Sequence, residues 1–349
     1  MLENSHLLSS DSIVEFIEKL IHSNKNISST SREYLSTKAI DEYINTRKKL
    51  ESLEKISGEK LTFGSFTKDK YYETLKKIND LEISRQLENG EIQKGFSNNY
   101  ISKISKNILA ILNKAGDNEF KIQFNTRGKK VNEVESKCNT YFKEEEIELI
   151  IKSNVSFSKT LQAAKDYVII SCLTGLRLED MENLNLLKVE KFGKNGSSFM
   201  GIKTLIRKAS KAHSKVTAVI PVFVPVMDVY KANNNSFPKF QSNISKYIKK
   251  LCEHLEINDE VEEKILYYLE DEPRITLKPK HRMVSAHKCR SSFITNLKML
   301  GISNVLTSEI THPKKDLSNM YSRYDNSSVE DTARLLIEEL KKKNSKLYS

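Results

Sequence analysis

The sequence predicts a mainly α-helical fold of two domains, with a small antiparallel β-sheet in the second. Three observations predict it. Apolar residues recur at three- and four-residue steps, the period of one helix face, through most of the chain. That period gives way to short β-type segments between residues 186 and 222. It also fails between Asn113 and Tyr141, which is where a chain of 349 residues, long enough for two cores, is expected to divide.

Taken in order, residues 12–21 carry apolar side chains at helical spacing, and further helices are predicted over 36–53 and 65–81. The clearest follows Ser97, where Ile101, Ile104, Ile108, Leu112 and Ala115 form one stripe and Lys103 and Lys106 fall off it. An off-stripe lysine is ordinarily a solvated one; the same position also suits a contact to DNA phosphate. Arg127, Lys129 and Lys130 cluster around Gly128 without an apolar face, so a basic linker over 121–140 is expected. Helices resume over 144–151 and 163–173, the second stopped by Gly175. Strands are expected at 187–189, 199–202 and 216–220, separated by the turn-forming 193–196 and the polar stretch 208–215. Helical patterns return over 222–230, 242–255, 261–269, 285–300 and 328–343.

A formal net charge of +11 favours a polyanionic partner through long-range attraction and counterion release, without choosing between DNA, RNA and an anionic membrane. No apolar run reaches the length of a bilayer span, and residues 1–12 lack the apolar centre of a signal peptide. A soluble, cytoplasmic protein with no membrane partner is therefore expected. Cys138, Cys172, Cys252 and Cys289 are scattered, with no C-x-x-C spacing and no histidine pair beside them. They read as reduced, mostly buried thiols, and no metal site is expected.

Two stretches carry chemistry. Thr174-Gly175-Leu176-Arg177 sets an arginine after an apolar helix and a glycine break, at the start of another helix, where unpaired N–H groups favour anions. Asp180, three residues on, is placed to hold that arginine by a charge-assisted hydrogen bond. In the helix beginning at Ser285, His287 and Arg290 share a face with Ile294 and Leu297, and a buried arginine needs a partner. His312 then precedes Tyr321 by nine residues, and Tyr324 follows three later. A phenol has a pKa near 10, so its attack on phosphorus needs cations on the phosphate and an acceptor for its proton. Arginine suits the first task because its planar fork binds two phosphate oxygens while staying charged. Each residue alone has an ordinary structural explanation; together they fit phosphodiester chemistry.

In order and spacing these boxes resemble those of the tyrosine recombinases, the phage-type integrases and chromosome-dimer resolvases. The match runs through Thr174 to Arg177, His287 to Arg290, His312 and Tyr321; Thr311 departs from the glycine usual before that second histidine. The resemblance implies a helical, SAM-like core-binding domain over 1–120, with Lys103 and Lys106 as DNA contacts there and Arg127, Lys129 and Lys130 as DNA contacts on the linker over 121–140. It implies a catalytic domain over 141–349 that ends in a helix with Leu335, Leu336 and Leu340. That tail docks either on a neighbouring protomer or on its own domain.

The same resemblance implies a general-acid lysine in the hairpin, for which Lys211 is preferred over Lys203, Lys208 and Lys215 because it precedes the strand running into Pro221. It assigns Tyr321 as nucleophile, with Tyr324 as the alternative. Arg177, Arg290 and His312 would bind phosphate oxygens and His287 would assist proton transfer. The implied protein is a site-specific DNA recombinase that needs neither metal nor ATP. Its partners would be double-stranded DNA on the nucleoid, a homotetramer on two sites and accessory DNA-bending proteins. The competing readings are a type IB topoisomerase-like enzyme and a catalytically silent DNA-binding regulator of the same fold.

Overall fold

The computed structural model describes residues 11–28, 31, 34–81, 95–134, 140–193, 198–206, 216–311, 328–343 and 345–348. The chain forms two compact units, Met1–Lys137 with Lys264–Ile275, and Cys138–Glu263 with Thr276–Ser349.

In the first unit four α-helices each begin at a hydroxyl cap that accepts a backbone N–H left over at the helix start. Ser12 caps α1 (Ile13–Ser23), Ser36 caps α2 (Thr37–Ser57), Thr67 caps α3 (Lys68–Asn79) and Ser97 caps α4 (Asn98–Asp117). The predicted stripe of α4 is buried throughout, from Ile101 to Ala115. It packs with Tyr71, Leu75 and Ile78 of α3 into a core that Phe16 and Phe63 close edge-on, 5.4 Å apart.

The stretch after α4 is held to that helix by side-chain hydrogen bonds. Thr126 Oγ1 donates to Asn113 Oδ1 at 2.5 Å, the Val131 N–H to Ser105 Oγ at 3.0 Å and Ser102 Oγ to the Val131 carbonyl at 2.6 Å. Asn99 exchanges two 2.8 Å bonds with the Val134 backbone. The partners on α4 descend as the stretch ascends, so residues 126–134 run antiparallel to the helix as a strap.

The second unit is built around α6 (Lys159–Thr174), against which α5 (Glu144–Lys152), α8 (Val224–Ala232), α9 (Ile244–His254) and α11 (Ala286–Met299) pack. Between α6 and the sheet lies the single turn α7 (Leu178–Met181). The sheet has the order β1 (Glu190–Phe192), β2 (Phe199–Leu205), β3 (Thr217–Pro221), all antiparallel. Residues 187–189 are not a strand. Leu184–Leu186 makes a 3-10 turn first, and Leu187 and Val189 pack on the core instead of pairing.

The predicted helix over 261–269 is also absent. Val261, Ile265, Tyr268 and Leu269 imitate a helical stripe. The backbone there instead forms β4 (Glu260–Ile265), which pairs with β5 (Arg274–Pro279), and Leu269 sits at φ +70°, which no right-handed helix holds. The tip of this hairpin belongs to the first unit, where Ser97 bridges Tyr267 and Tyr268 packs on the core. After β5 come α10 (Lys280–Met283), α11, α12 (Asn304–Thr311) and α13 (Val329–Lys341). Leu336 and Leu340 of α13 are buried in their own unit, whereas Leu335 is exposed. Among the described residues no helix is long and apolar enough to cross a membrane.

Candidate phosphate-binding site

Gly175 ends α6 in the left-handed conformation at φ +67°, which glycine adopts without a Cβ penalty. Its amide donates to the Ser171 carbonyl at 3.0 Å. Around that turn Thr174 Oγ1 donates to the Ile170 carbonyl at 2.6 Å, and Ser171 Oγ to the Leu176 carbonyl at 3.2 Å. The hydroxyls thus satisfy backbone groups in a buried corner and fix the exit of the chain. Arg177 follows as the extended residue heading α7, and its Nη1 lies 4.0 Å from Asp180 Oδ2. Only 1% of the Asp180 side chain is exposed, against 17% of Arg177.

Arg290 comes from α11 and is 4% exposed. Its guanidinium donates through Nη1 to the Gly175 carbonyl and through Nη2 to the Thr311 carbonyl at the end of α12. A guanidinium buried this deeply needs such acceptors, since each unmet N–H would carry its full desolvation cost. Burial, and then the nearby charge of Arg177, lower its pKa to about 10; Asp180 opposes the shift. It therefore stays charged at neutral pH. The two arginines, from motifs far apart in sequence, are near enough that the charges of Arg177 and Asp180 both act on Arg290. His287, one turn before Arg290 on α11, is exposed.

Of the residues predicted for chemistry, Arg177 and Arg290 are brought together and His287 lies on the same helix as Arg290. Lys211, His312 and Tyr321 lie outside the described residues, as do Lys208, Lys215, Tyr324 and Cys138. Thr311, directly before His312 in sequence, is buried and is the residue whose carbonyl Arg290 holds. Lys203 is exposed on β2 opposite Val219. Cys172, Cys252 and Cys289 are free and buried, and burial pushes the Cys252 thiol up to about 12 and raises that of Cys289. Tyr167 and Tyr348 are also buried, which raises both phenols far above their ordinary value and disfavours the phenolate needed for attack.

The basic residues predicted to contact DNA lie on α4 and on the strap beside it. Lys103 and Lys106 are exposed on it, and Lys103 pairs with Glu42 at 3.0 Å. Arg127, Lys129 and Lys130 ride on the strap, with Lys130 paired to Glu133 at 2.8 Å and the Lys129 carbonyl accepting from the Tyr71 hydroxyl at 3.2 Å.

Three features escaped the sequence. The acceptors of Arg290 are backbone carbonyls, invisible in side-chain letters. Phe293, one turn past Arg290, presses on Gly175 so closely that a Cβ there would lie 2.5 Å from its ring. Lys280 is buried with Glu146, Nζ to Oε2 at 2.6 Å, and joins α10 to α5; the signal for it was a lysine directly after a proline at a strand end.

No protein-family model matches the sequence, and no curated protein matches it. Among solved structures, the fold is similar to that of a lambda integrase tetramer bound to a Holliday junction, with a TM-score of 0.54 and 12% identity over 91% of this chain and 81% of that one. It is also similar to the Tn1549 transposon integrase in complex with a circular-intermediate DNA, with a TM-score of 0.52 and 14% identity over 94% of this chain and 99% of that one. At such identities the likeness concerns the fold, and the chain has the fold of the lambda and Tn1549 integrases.

Proposed function

We propose that the protein is a site-specific DNA recombinase of the tyrosine type. The observation that carries this reading is a pair of cations, Arg177 beside the buried Asp180 and Arg290 within electrostatic reach of both, suited to the negative charge that builds up on a phosphodiester in its transition state. The integrase fold and the charge of +11 support it. Tyr321 attacks the scissile phosphorus, its proton passing to an acceptor that His287 assists. The P–O5′ bond breaks as Lys211 gives a proton to the leaving oxygen, and a 3′-phosphotyrosyl link remains. Arg177, Arg290 and His312 hold the non-bridging oxygens. A 5′-hydroxyl from a partner strand then reverses the step, so the bond energy is kept and neither ATP nor a metal enters. Four protomers on two DNA sites perform the exchange, with the first unit holding the duplex.

A nicked duplex carrying the site that the protein selects from a randomised pool tests this. The nick lets the short 5′ fragment diffuse away and traps the covalent protein. Adduct from the wild-type chain and none from Tyr321→Phe is expected. An adduct that persists in Tyr321→Phe overturns the assignment, and its loss in Tyr324→Phe alone moves it. Relaxation of supercoiled plasmid by dilute protein, indifferent to sequence, would instead mark a topoisomerase. Site binding with no adduct under any condition would mark a regulator.

A further inference from the structure

The segment after α13 returns to its own unit. Ser345 Oγ donates to Glu144 Oε1 at 2.9 Å in the first turn of α5, and Leu347 and Tyr348 are then buried. The Tyr348 ring meets Phe223 edge-on at 5.2 Å and Phe293 at 6.3 Å, with 62° between the planes of the second pair. Phe293 is the side chain that presses on Gly175, and the Gly175 carbonyl is the acceptor of Arg290. A continuous line of contact therefore runs from Tyr348 through Phe293 and Gly175 to the Arg290 guanidinium. Among the described residues the Tyr348 hydroxyl has no hydrogen-bond partner although it is buried. A hydroxyl in that state costs stability, so what the position uses is the flat ring and not the oxygen.

We propose that Tyr348 is a positioning residue for the phosphate site, its ring backing Phe293 so that Phe293 keeps the Gly175 carbonyl on Arg290. It touches no substrate. The proposal rests on reading Arg290 as a phosphate ligand, and it gives the residues after α13 a task inside their own protomer. A packed core transmits a lost ring as a discrete shift, because its side chains have few other arrangements. A shift of an ångström at a phosphate ligand is enough to slow chemistry by orders of magnitude.

The test uses the full chain with Tyr348→Phe, Tyr348→Leu and Tyr348→Ala, and two readouts. The first is single-turnover adduct formation on the nicked duplex at saturating DNA. Tyr348→Phe is expected to match the wild type, while Tyr348→Leu and Tyr348→Ala slow the step about tenfold with Kd for DNA changed less than about twofold. A neutral methylphosphonate at the scissile position needs less from an arginine, so the defect of both slow variants should shrink there. The second readout needs no reaction: the Nε–H resonance of Arg290 in nitrogen-15 spectra, expected to be kept in Tyr348→Phe and shifted in Tyr348→Leu. Tyr348→Leu retains apolar bulk, so the test survives if Tyr348→Ala does not fold. A wild-type chain that forms no adduct overturns the recombinase reading, and the resonance then decides the packing claim alone. A folded Tyr348→Leu with the wild-type rate and an unmoved Arg290 resonance overturns the proposal. So does a Tyr348→Phe as slow as Tyr348→Ala, or a defect undiminished on methylphosphonate.

Discussion

The Arg290 guanidinium donates to the backbone carbonyl of Gly175, so the second arginine motif is fastened to the turn that presents the first. Gly175 is constrained twice, by its φ of +67° and by the Phe293 ring, whose Cδ1 would lie 2.5 Å from an added Cβ. Gly175→Ala should therefore destabilise the second unit by about 1–3 kcal/mol, from overpacking together with a left-handed alanine. Urea unfolding at neutral pH measures this. A midpoint within error of wild type would mean that the ring and the turn yield without cost.

Asp180 is the counter-charge that lets two arginines share a buried corner. The folded pKa of Arg290, about 10, lies below its ordinary 12.5, so between those values the unfolded chain binds the proton more tightly than the folded one. Burying this charge costs stability at every pH below 10, and the cost is relieved only as pH rises from 10 towards 12.5. At neutral pH Asp180→Asn removes the negative charge that opposes the shift, and should cost about 1–3 kcal/mol. The variant leaves a more positive pocket, so sulfate should raise its Tm more than it raises that of the wild type. Equal sulfate responses would remove Asp180 from the site's charge balance.

Lys280 and Glu146 form an ion pair with side chains only 5% and 14% exposed, and Glu146 also accepts the Lys143 N–H at 2.7 Å. Lys280→Met strands a carboxylate and should cost about 3 kcal/mol or more. Adding Glu146→Gln keeps an acceptor for Lys143 while removing the stranded charge, and should restore at least about half of the loss. A double-mutant cycle in urea gives the coupling directly. Simple additivity of the two changes would show that the pair is not coupled.

What was legible in the sequence follows the kind of force at work. The α4 stripe from Ile101 to Ala115 was readable because burial against a core imposes a period, and the helix starts at Ser12, Ser36 and Ser97 fall where their hydroxyls meet orphan amides, whereas α3 is capped by Thr67, two residues past the expected start. Arg177 and Arg290 were readable as a pair through the order of their motifs. The hairpin at 260–279 was not, since Val261, Ile265 and Tyr268 obey a helical period by coincidence while β4 pairs with β5 across the turn that holds Tyr268. The strap over 126–134 has the composition of a linker, since Ser102, Ser105 and Asn99 hold it through hydrogen bonds that leave no hydrophobic trace. Nor could the letters reveal that Leu347 and Tyr348 return to the core.

That strap gives the DNA-binding proposal a quantitative form. Each lysine that neutralises a phosphate contributes about one counterion, so its removal lowers the salt slope of log K by about 1. Lys106→Ala should do so, whereas Lys103→Ala and Lys130→Ala should lower it less, because Glu42 at 3.0 Å and Glu133 at 2.8 Å already neutralise those lysines. Ser105→Ala is a different kind of change. Its hydroxyl bonds the Tyr71 hydroxyl at 2.6 Å and accepts the Val131 N–H at 3.0 Å, so losing it loosens the middle of the strap without removing any charge. Affinity should then fall by about threefold to tenfold, the effect of roughly one hydrogen bond, at an unchanged slope. Fluorescence anisotropy on a labelled duplex across a salt series separates the two patterns. A slope unmoved by Lys106→Ala and lowered by neither Lys103→Ala nor Lys130→Ala would take α4 and its strap off the DNA.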